Sequence, residues 1–140
     1  MKQGFILTVE HASKSIPVEF KALKKKKTLV NSYNSYDIGA LDIAKKIANY
    51  FKATIHKSRV SRLIVDCNRS PHNKKALFKR FQGNPTKEEK EAILKKYYTP
   101  YWKEGKKKIS LLLQKKRKVF NLAVHSFTPF LDGKQRTNDI

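Results

Sequence analysis

Short apolar runs that end directly in polar residues are the feature that most limits how this chain can fold. Four such runs occur, at residues 5–9, 53–56, 63–65 and 119–124. Runs of this kind, bounded by polar residues, are typical of buried β-strands. Three of them are followed at once by polar groups, namely Glu10-His11, Asp66 with Asn68-Arg69, and His125-Ser126. The sequence therefore predicts a sheet whose strand ends carry chemically useful side chains.

A helical pattern separates the first two predicted strands. Apolar residues recur at helical spacing between residues 35 and 51. Either Ser35 or Asp37 is suited to the N-cap position of this helix, because both side chains can accept a hydrogen bond from a free backbone N–H. We therefore expect a helix over residues 35–51.

Two more helical patterns lie between the third and fourth predicted strands. Thr86 and Glu89 form a capping-box pattern that begins the first of them, which runs toward Tyr98 before Pro100. The second covers residues 101–113. Strands and helices in this order predict an α/β fold with a mixed, mostly parallel sheet flanked by helices. A length of 140 residues favours a single domain.

The formal net charge of +21 raises the question of a polyanionic partner. Lysine supplies 26 of the 32 basic residues, whereas arginine, which nucleic-acid readers use for bidentate contacts, supplies six. The lysines are spread through every segment, which favours solvated faces and loops. The alternative function is a basic nucleic-acid-binding module without catalysis, with base-stacking candidates at Tyr97, Tyr98, Tyr101 and Trp102. The helical spacing of these aromatic residues favours ordinary packing.

Cys67 is the one cysteine of the chain, so an internal disulfide and a cysteine-rich metal cluster are excluded. A reducing compartment, most simply the cytoplasm, is therefore expected. The apolar run at residues 5–9 is far too short for a signal-peptide core or a membrane span. No later apolar segment approaches the length of a membrane span. We expect no membrane association.

Two histidines that follow separate strands indicate a candidate metal site. Strand ends meet at one edge of an α/β sheet, so His11 and His125 can come together there, and Asp37 lies between them in the sequence. Two histidines and a carboxylate with an open position form a common catalytic zinc site. Spacing alone supports this weakly, since a histidine at a strand end is more often a hydrogen-bonded structural residue.

Four ordered motifs add a family resemblance. They are residues 6–13 (Ile-Leu-Thr-Val-Glu-His-Ala-Ser) with Ile16-Pro17, residues 36–40 (Tyr-Asp-Ile-Gly-Ala), residues 61–69 (Ser-Arg-Leu-Ile-Val-Asp-Cys-Asn-Arg), and residues 125–129 (His-Ser-Phe-Thr-Pro) with Arg136. Together they span nearly the whole chain and resemble the signature of the N-formylglutamate amidohydrolase family. That family is similar in fold to the zinc carboxypeptidases and aspartoacylases. The resemblance implies a phosphorylase/hydrolase-like α/β domain that binds one zinc ion at its strand ends.

Residue by residue, the resemblance implies that His11 and His125 are zinc ligands. Asp37 is the candidate carboxylate ligand, and Glu10 is the alternative. The carboxypeptidase-type pattern has a glutamate three residues after the first histidine, whereas this chain has Lys14 there. A plain helix N-cap is an equally good interpretation of Asp37.

The resemblance assigns the remaining roles to Asn68 and three arginines. Arg62 matches an arginine that polarises the scissile carbonyl, and Asn68 with Arg69 matches a pair that holds a substrate carboxylate. Arg136 is a further substrate or structural contact. A planar, permanently charged guanidinium suits these roles. A salt bridge at the sheet edge is the alternative for each arginine.

The implied reaction is hydrolysis of the amide bond of a small N-acyl amino acid, such as N-formylglutamate. A general base must accept a proton from the attacking water, and in the wider superfamily this base is a glutamate well downstream of the second zinc histidine. Asp132 or Asp139 can be considered, but no motif supports either. The resemblance therefore predicts a partial domain whose C-terminal part, with the base, is missing. A zinc-binding remnant without catalysis is a third hypothesis.

Overall fold

Three parallel strands form the central sheet of the protein. The computed structural model describes residues 3–116, 118–131 and 133–137. The strands are β1 (Gln3–Val9), β2 (Thr54–Lys57) and β3 (Lys118–Ala123). β1 lies in the middle, and both neighbours run parallel to it. All three strands therefore end at the same edge of the sheet.

Helices flank this sheet. They are α1 (Lys21–Lys24), α2 (Lys27–Val30), α3 (Ala40–Phe51), α4 (Lys74–Leu77), α5 (Lys87–Ile93) and α6 (Thr99–Lys115), with a 3-10 turn at Val18–Phe20. A separate antiparallel pair, β4 (Phe130–Leu131) and β5 (Lys134–Gln135), follows β3. The predicted α/β class with helices around a mostly parallel sheet is confirmed. Among the described residues, no helix combines the length and apolarity needed to cross a membrane.

Two apolar cores hold the helices in place. Side chains alternate between the two faces of a strand, so one face of β1 meets α3 through a small core of Leu7, Val9, Ala40, Ala44, Ala48 and Val124. The alanines let the helix approach the sheet closely. The larger core surrounds residues 63–65 and takes side chains from α1, α4, α5 and α6. This core therefore holds residues 63–65 and the segment that follows them in place.

The strand predicted at residues 63–65 is wrong. Leu63, Ile64 and Val65 are at most 1% exposed, but the backbone turns at Leu63 and Ile64, and none of the three residues joins a sheet. Ser61 satisfies two of their backbone groups, because its carbonyl accepts a hydrogen bond from the Ile64 N–H and its hydroxyl oxygen accepts one from the Leu63 N–H. A short apolar run signals burial and not strand pairing, and here the burial comes from a loop packed into the larger core.

α3 begins later than predicted, because the two N-cap candidates have other partners. Its N-cap residue is Gly39, whose φ of +83° lies in the left-handed region that glycine adopts without strain. Ser35 is buried, and its hydroxyl is hydrogen-bonded to that of Ser61 at 2.8 Å. The Asp37 carboxylate contacts two histidines and not the start of the helix. The predicted N-cap role of Ser35 or Asp37 is therefore wrong.

The helices predicted on either side of Pro100 form one continuous helical segment. The capping box predicted for the start of α5 is confirmed. A π-helical turn at Leu94–Tyr98 leads from α5 directly into α6, and the Thr99 N–H donates to the Leu94 carbonyl. We attribute this wide turn to Pro100, which has no N–H to donate and whose ring would clash with a carbonyl of a regular α-helical turn.

Gly105 of α6 is required by the close approach of His56. A Cβ atom at residue 105 would lie 2.9 Å from the ring atoms Cδ2 and Nε2 of His56. That ring also donates a hydrogen bond to the Tyr101 carbonyl at 2.9 Å, so it cannot move freely. We expect Gly105→Ala to lower the free energy of unfolding by about 1–3 kcal/mol through overpacking, although alanine is the better helix former by about 1 kcal/mol. Thermal unfolding followed by circular dichroism measures this effect.

His56→Ala provides the matched background for this test. In that background the new methyl group no longer meets the ring, so Gly105→Ala should be neutral or stabilising. A higher melting temperature for Gly105→Ala in the presence of His56 would contradict the close contact.

Candidate active site

Two histidine rings meet where β1 and β3 end. Glu10 and His11 follow β1 directly, and His125 comes two residues after the last residue of β3. Because the two strands are parallel neighbours, their ends lie side by side, and the ring centroids of His11 and His125 are 5.2 Å apart. His11 is buried, whereas the side chain of His125 is 31% exposed. The pair therefore has one inner ring and one ring that a ligand can reach.

The carboxylate of Asp37 lies between the two rings. Its Oδ2 atom is 3.3 Å from Nδ1 of His11 and 2.8 Å from Nδ1 of His125. Its other oxygen, Oδ1, is 3.1 Å from Nη1 of Arg62. Asp37 is only 3% exposed. A charge removed from water in this way must be compensated by its neighbours, which here are the two imidazoles and the guanidinium.

Each histidine has a second carboxylate at its other ring nitrogen. Asp66 Oδ1 is 2.7 Å from Nε2 of His11, and Glu10 Oε2 is 3.2 Å from Nε2 of His125. Both carboxylates belong to buried residues. A partner on one ring nitrogen fixes the orientation of the ring and the direction of the other nitrogen. In both rings that other nitrogen is Nδ1, which faces Asp37.

Asp66 is the residue of this cluster to which the sequence motifs assigned no role. The available signal was its position in the polar set that follows residues 63–65, two residues before Asn68. The Asp66 N–H donates to the Leu77 carbonyl at 2.9 Å, and its Oδ1 also accepts a hydrogen bond from the Asn68 N–H at 2.9 Å. These bonds hold the Asp66 segment in place, and the contact between Asp66 and His11 joins this segment to the end of β1.

Backbone hydrogen bonds place the loop that carries Asp37. The Asp37 N–H donates to the His11 carbonyl at 2.9 Å, and the Arg62 N–H donates to the Ser35 carbonyl at 3.2 Å. The Arg62 guanidinium also donates to the Tyr33 carbonyl. The loop before α3 is therefore tied both to the end of β1 and to the segment that contains Arg62.

The carboxylates increase the proton affinity of both imidazoles. Hydrogen bonds to Asp37 and Glu10 raise the pKa of His125 from 6.5 to about 9. Burial lowers the pKa of His11, but hydrogen bonds to Asp37 and Asp66 outweigh burial and raise it overall. Burial likewise opposes ionisation of Asp37, yet hydrogen bonds from the two imidazoles hold the pKa of its carboxyl well below the usual range. The site thus favours an ionised Asp37 carboxylate beside a protonated His125 ring when no metal is bound, and the pKa of His11 is shifted in the same direction.

The arrangement of donor atoms fits a metal ion. One ligand atom from each of His11, Asp37 and His125 lies within 4.8 Å of the others. Two buried oxygens, Asp37 Oδ1 and Glu10 Oε2, receive no well-directed hydrogen bond, although each has an ion-pair partner nearby. Carboxylate oxygens with unused lone pairs suit a cation. Two imidazoles and a carboxylate are also a ligand set that zinc accepts.

Two other predicted site residues lie beside the histidines. Asn68 Nδ2 is 3.5 Å from Nε2 of His125, and Arg69 Nε is 3.8 Å from Asp66 Oδ2. Both Asn68 and Arg69 are exposed. The structure therefore brings His125 of the fourth motif together with the site residues predicted from the first three motifs, which are His11, Asp37, Arg62, Asn68 and Arg69.

Arg136 and Cys67 differ from these residues in their surroundings. The Arg136 guanidinium carbon lies 4.5 Å from the centroid of the Phe127 ring. Within the described ranges, no hydrogen bond or ion pair joins Arg136 to either histidine of the cluster. Cys67 is buried, and burial raises the pKa of its thiol to about 12. A thiol of this kind is an apolar packing residue and not a nucleophile.

The aromatic residues considered for base stacking serve mainly in helix packing. Tyr98 and Tyr101 are each 7% exposed and belong to the larger core. Tyr97 packs against the same core, whereas Trp102 is 40% exposed. Binding of nucleic acid through the positive charge stays the alternative hypothesis.

These features define the class of the protein as an α/β domain with a buried histidine–carboxylate site at the carboxyl edge of a parallel sheet, where such folds place their ligands. A model of the N-formylglutamate amidohydrolase family matches residues 3–140, and the chain belongs to that family. The crystal structure of the gene product Atu2144 from Agrobacterium tumefaciens is similar, with a TM-score of 0.82 and 30% sequence identity. The match covers 94% of this chain and 55% of that one, so this chain spans about half of its length. No curated protein matches the chain.

The link between Asp37 and His125 can be tested by NMR on chelator-treated protein. We expect Asp37→Asn to lower the pKa of His125 from about 9, because the hydrogen bond to Asp37 is the largest cause of the upward shift. The carbon-bound protons of the imidazole report this titration. Asp42→Asn changes an exposed aspartate of α3 and should leave the pKa of His125 as it is. Identical titrations in Asp37→Asn and in the unmodified protein would show that Asp37 does not hold this ring.

Proposed function

We propose that this chain carries the zinc-binding and substrate-binding part of an amidohydrolase that acts on small N-acyl amino acids, such as N-formylglutamate. The supporting observation is the Asp37 carboxylate shared by two histidines, each with its own second carboxylate. Membership of the family supports an amidohydrolase-like reaction on a small molecule. Because the chain spans about half of the similar structure, the activity of the complete protein is part of the proposal.

The zinc ligands in this proposal are Nδ1 of His11, Nδ1 of His125 and the carboxylate of Asp37. A histidine that binds zinc usually donates its other ring N–H to a carboxylate or carbonyl, and Asp66 and Glu10 occupy those positions here. This favours Asp37 over Glu10 as the carboxylate ligand, because Glu10 faces Nε2 and not Nδ1 of His125. When bound there, the ion supplies a Lewis acid that polarises the scissile carbonyl and acidifies a water molecule.

Arg62 is suited to stabilise negative charge on the carbonyl oxygen of the substrate. Its Nη1 atom lies 3.1 Å from both Nδ1 of His11 and Oδ1 of Asp37, next to the proposed ligand atoms. Backbone carbonyls of residues 33 and 34 accept hydrogen bonds from the same guanidinium and hold it in place. A donor that is already oriented lowers the barrier without further rearrangement when charge develops on the oxygen.

Asn68 and Arg69 are proposed to hold the α-carboxylate of the substrate. Both side chains are exposed beside the histidine cluster. The contact of Arg69 with Asp66 is long, at 3.8 Å. Arg69 therefore keeps donors for a bidentate contact with a ligand carboxylate, the geometry in which a guanidinium binds most strongly.

The proton acceptor for the attacking water is not assigned to a residue of this cluster. Glu10, Asp37 and Asp66 each already contact an imidazole, and a general base must reach the water instead. Asp132 and Asp139, which the sequence raised as candidates, lie outside the described residues.

The cytoplasm is the proposed location of the protein. Cys67 is free and buried. A chain with one unpaired cysteine and no disulfide suits a reducing compartment.

Zinc affinity tests the metal part of the proposal. Metal-free protein should bind one zinc ion per chain, and His11→Ala and His125→Ala should each abolish tight binding, because each removes a ligand. Asp66→Asn should weaken binding by about 10- to 100-fold, since it removes only the outer partner of His11. Competition with a chromophoric chelator measures these affinities. His72→Ala removes an exposed histidine outside the cluster and is the matched control.

Unchanged zinc affinity in both ligand variants would contradict the proposed site. Formate release from N-formyl-L-glutamate by the zinc-loaded chain tests the reaction itself, with His125→Ala as the inactive reference. Zinc binding without formate release would favour the hypothesis of a zinc-binding remnant without catalysis.

The two arginines should affect different kinetic constants of formate release. Arg62→Ala should lower kcat by roughly 10²- to 10³-fold, because a donor to the oxyanion acts mainly in the transition state. Arg69→Ala should mainly raise KM, because the carboxylate contact is already made in the bound substrate. Arg59→Ala changes an exposed arginine paired with Glu104 and serves as the control. An effect of Arg62→Ala on KM alone would contradict its proposed role.

A further inference from the structure

An open groove of about 730 Å³ lies next to the histidine site. Its lining includes Asn68, Arg69, Leu94, Tyr98 and Trp102. Asn68 belongs to both places, because its side chain also lies 3.5 Å from Nε2 of His125. A ligand held by Asn68 and Arg69 can therefore extend from the histidines into the groove.

One wall of the groove is apolar and includes the π-helical turn. Leu94 and Tyr98 are the first and last residues of that turn, and Trp102 follows in α6. The Tyr98 hydroxyl donates to the Arg69 carbonyl at 2.7 Å, which fixes the wall against the segment that carries Arg69. The Trp102 ring packs edge-on against Tyr101, with centroids 5.6 Å apart, and the rest of it faces outward. Turns of this type within α-helices often occur at functional sites.

The rim of the groove is positively charged. Arg69, Lys103 and Lys106 line it, and none of the described residues in its lining is acidic. Cations around an apolar wall suit a ligand with an anionic group and an apolar part. A small ligand whose side chain is itself charged would leave the apolar wall unused.

We propose that this groove is a side-chain subsite that selects N-acyl amino acids with an aromatic or branched aliphatic side chain. The α-carboxylate lies on Asn68 and Arg69, and the side chain lies against the apolar wall. Affinity comes from apolar surface that is removed from water. This inference rests on the proposed function, because it takes the α-carboxylate to be bound beside the histidine cluster.

Trp102 is the one tryptophan of the chain, so its fluorescence reports a ligand in the groove. Titrations compare N-formyl-L-phenylalanine, N-formyl-L-glutamate and N-formylglycine on metal-free and on zinc-loaded protein. We expect the phenylalanine compound to bind about tenfold more tightly than the glycine compound, as partial burial of a phenyl ring provides. It should also change the Trp102 emission in both forms of the protein, because the contacts of the subsite do not involve the metal.

Two variants test the wall of the groove. Leu94→Ala keeps the fluorescent residue and should reduce the preference for the phenylalanine compound over the glycine compound. Trp102→Ala, measured by calorimetry, should reduce it further. Leu111→Ala changes an exposed leucine of α6 outside the groove lining and should keep the full preference. Circular dichroism checks that each variant is folded.

Equal affinities for the phenylalanine and glycine compounds would overturn the subsite, and so would binding that leaves the Trp102 emission unchanged. The glutamate compound could instead bind more tightly than the phenylalanine compound and lose this advantage in Lys103→Ala. That result would show that the groove selects charge and would overturn the inference as well. Absence of binding by all three compounds also rejects it. Zinc affinity and formate release from any of the three compounds judge the proposed function separately, because neither depends on which side chain the groove prefers.

Discussion

The contact on which the rest of the site depends is the buried Asp37 carboxylate between the rings of His11 and His125. Burial removes its hydration, and two imidazoles and the Arg62 guanidinium take the place of water. Loss of one of these partners would leave a buried charge uncompensated. The free-energy cost of that charge would exceed the net stabilisation that the intact contact provides. The parallel pairing of β1 with β3 sets the distance between the rings, so the fold and the site depend on each other.

Three buried carboxylates surround the two imidazoles and set the charge of the site. Glu10 and Asp66 orient the rings from behind, while Asp37 lies between them. The same carboxylates raise the proton affinity of His11 and His125, and they would also attract a divalent cation to the proposed metal site. A protonated ring has no lone pair to give a metal ion, so proton and metal exclude each other at these nitrogens. If the cluster binds zinc as proposed, proton and metal binding are therefore coupled there.

The groove beside the cluster follows from a local irregularity of the main helical segment. Pro100 interrupts the regular hydrogen-bond pattern, and the π-helical turn before it places Leu94 and Tyr98 along one wall. Asn68 connects this wall to the histidines. Pro100 thus connects the packing of α5 and α6 with the surface on which a substrate side chain would lie.

Patterns within short stretches of sequence predicted the secondary-structure elements that depend on neighbouring residues alone. The strands that end before His11 and His125 and the capping box of α5 depend on short stretches of chain, and all three are confirmed. The strand at residues 63–65 was wrong, because an apolar run records burial and not the partner of the backbone. The sequence by itself determined that two histidines follow two strands, in the motif order of the family. Only the tertiary structure decided that Asp37 joins the rings and that Asp66 supports one of them, because these contacts link residues distant in the chain and gain strength from the exclusion of water.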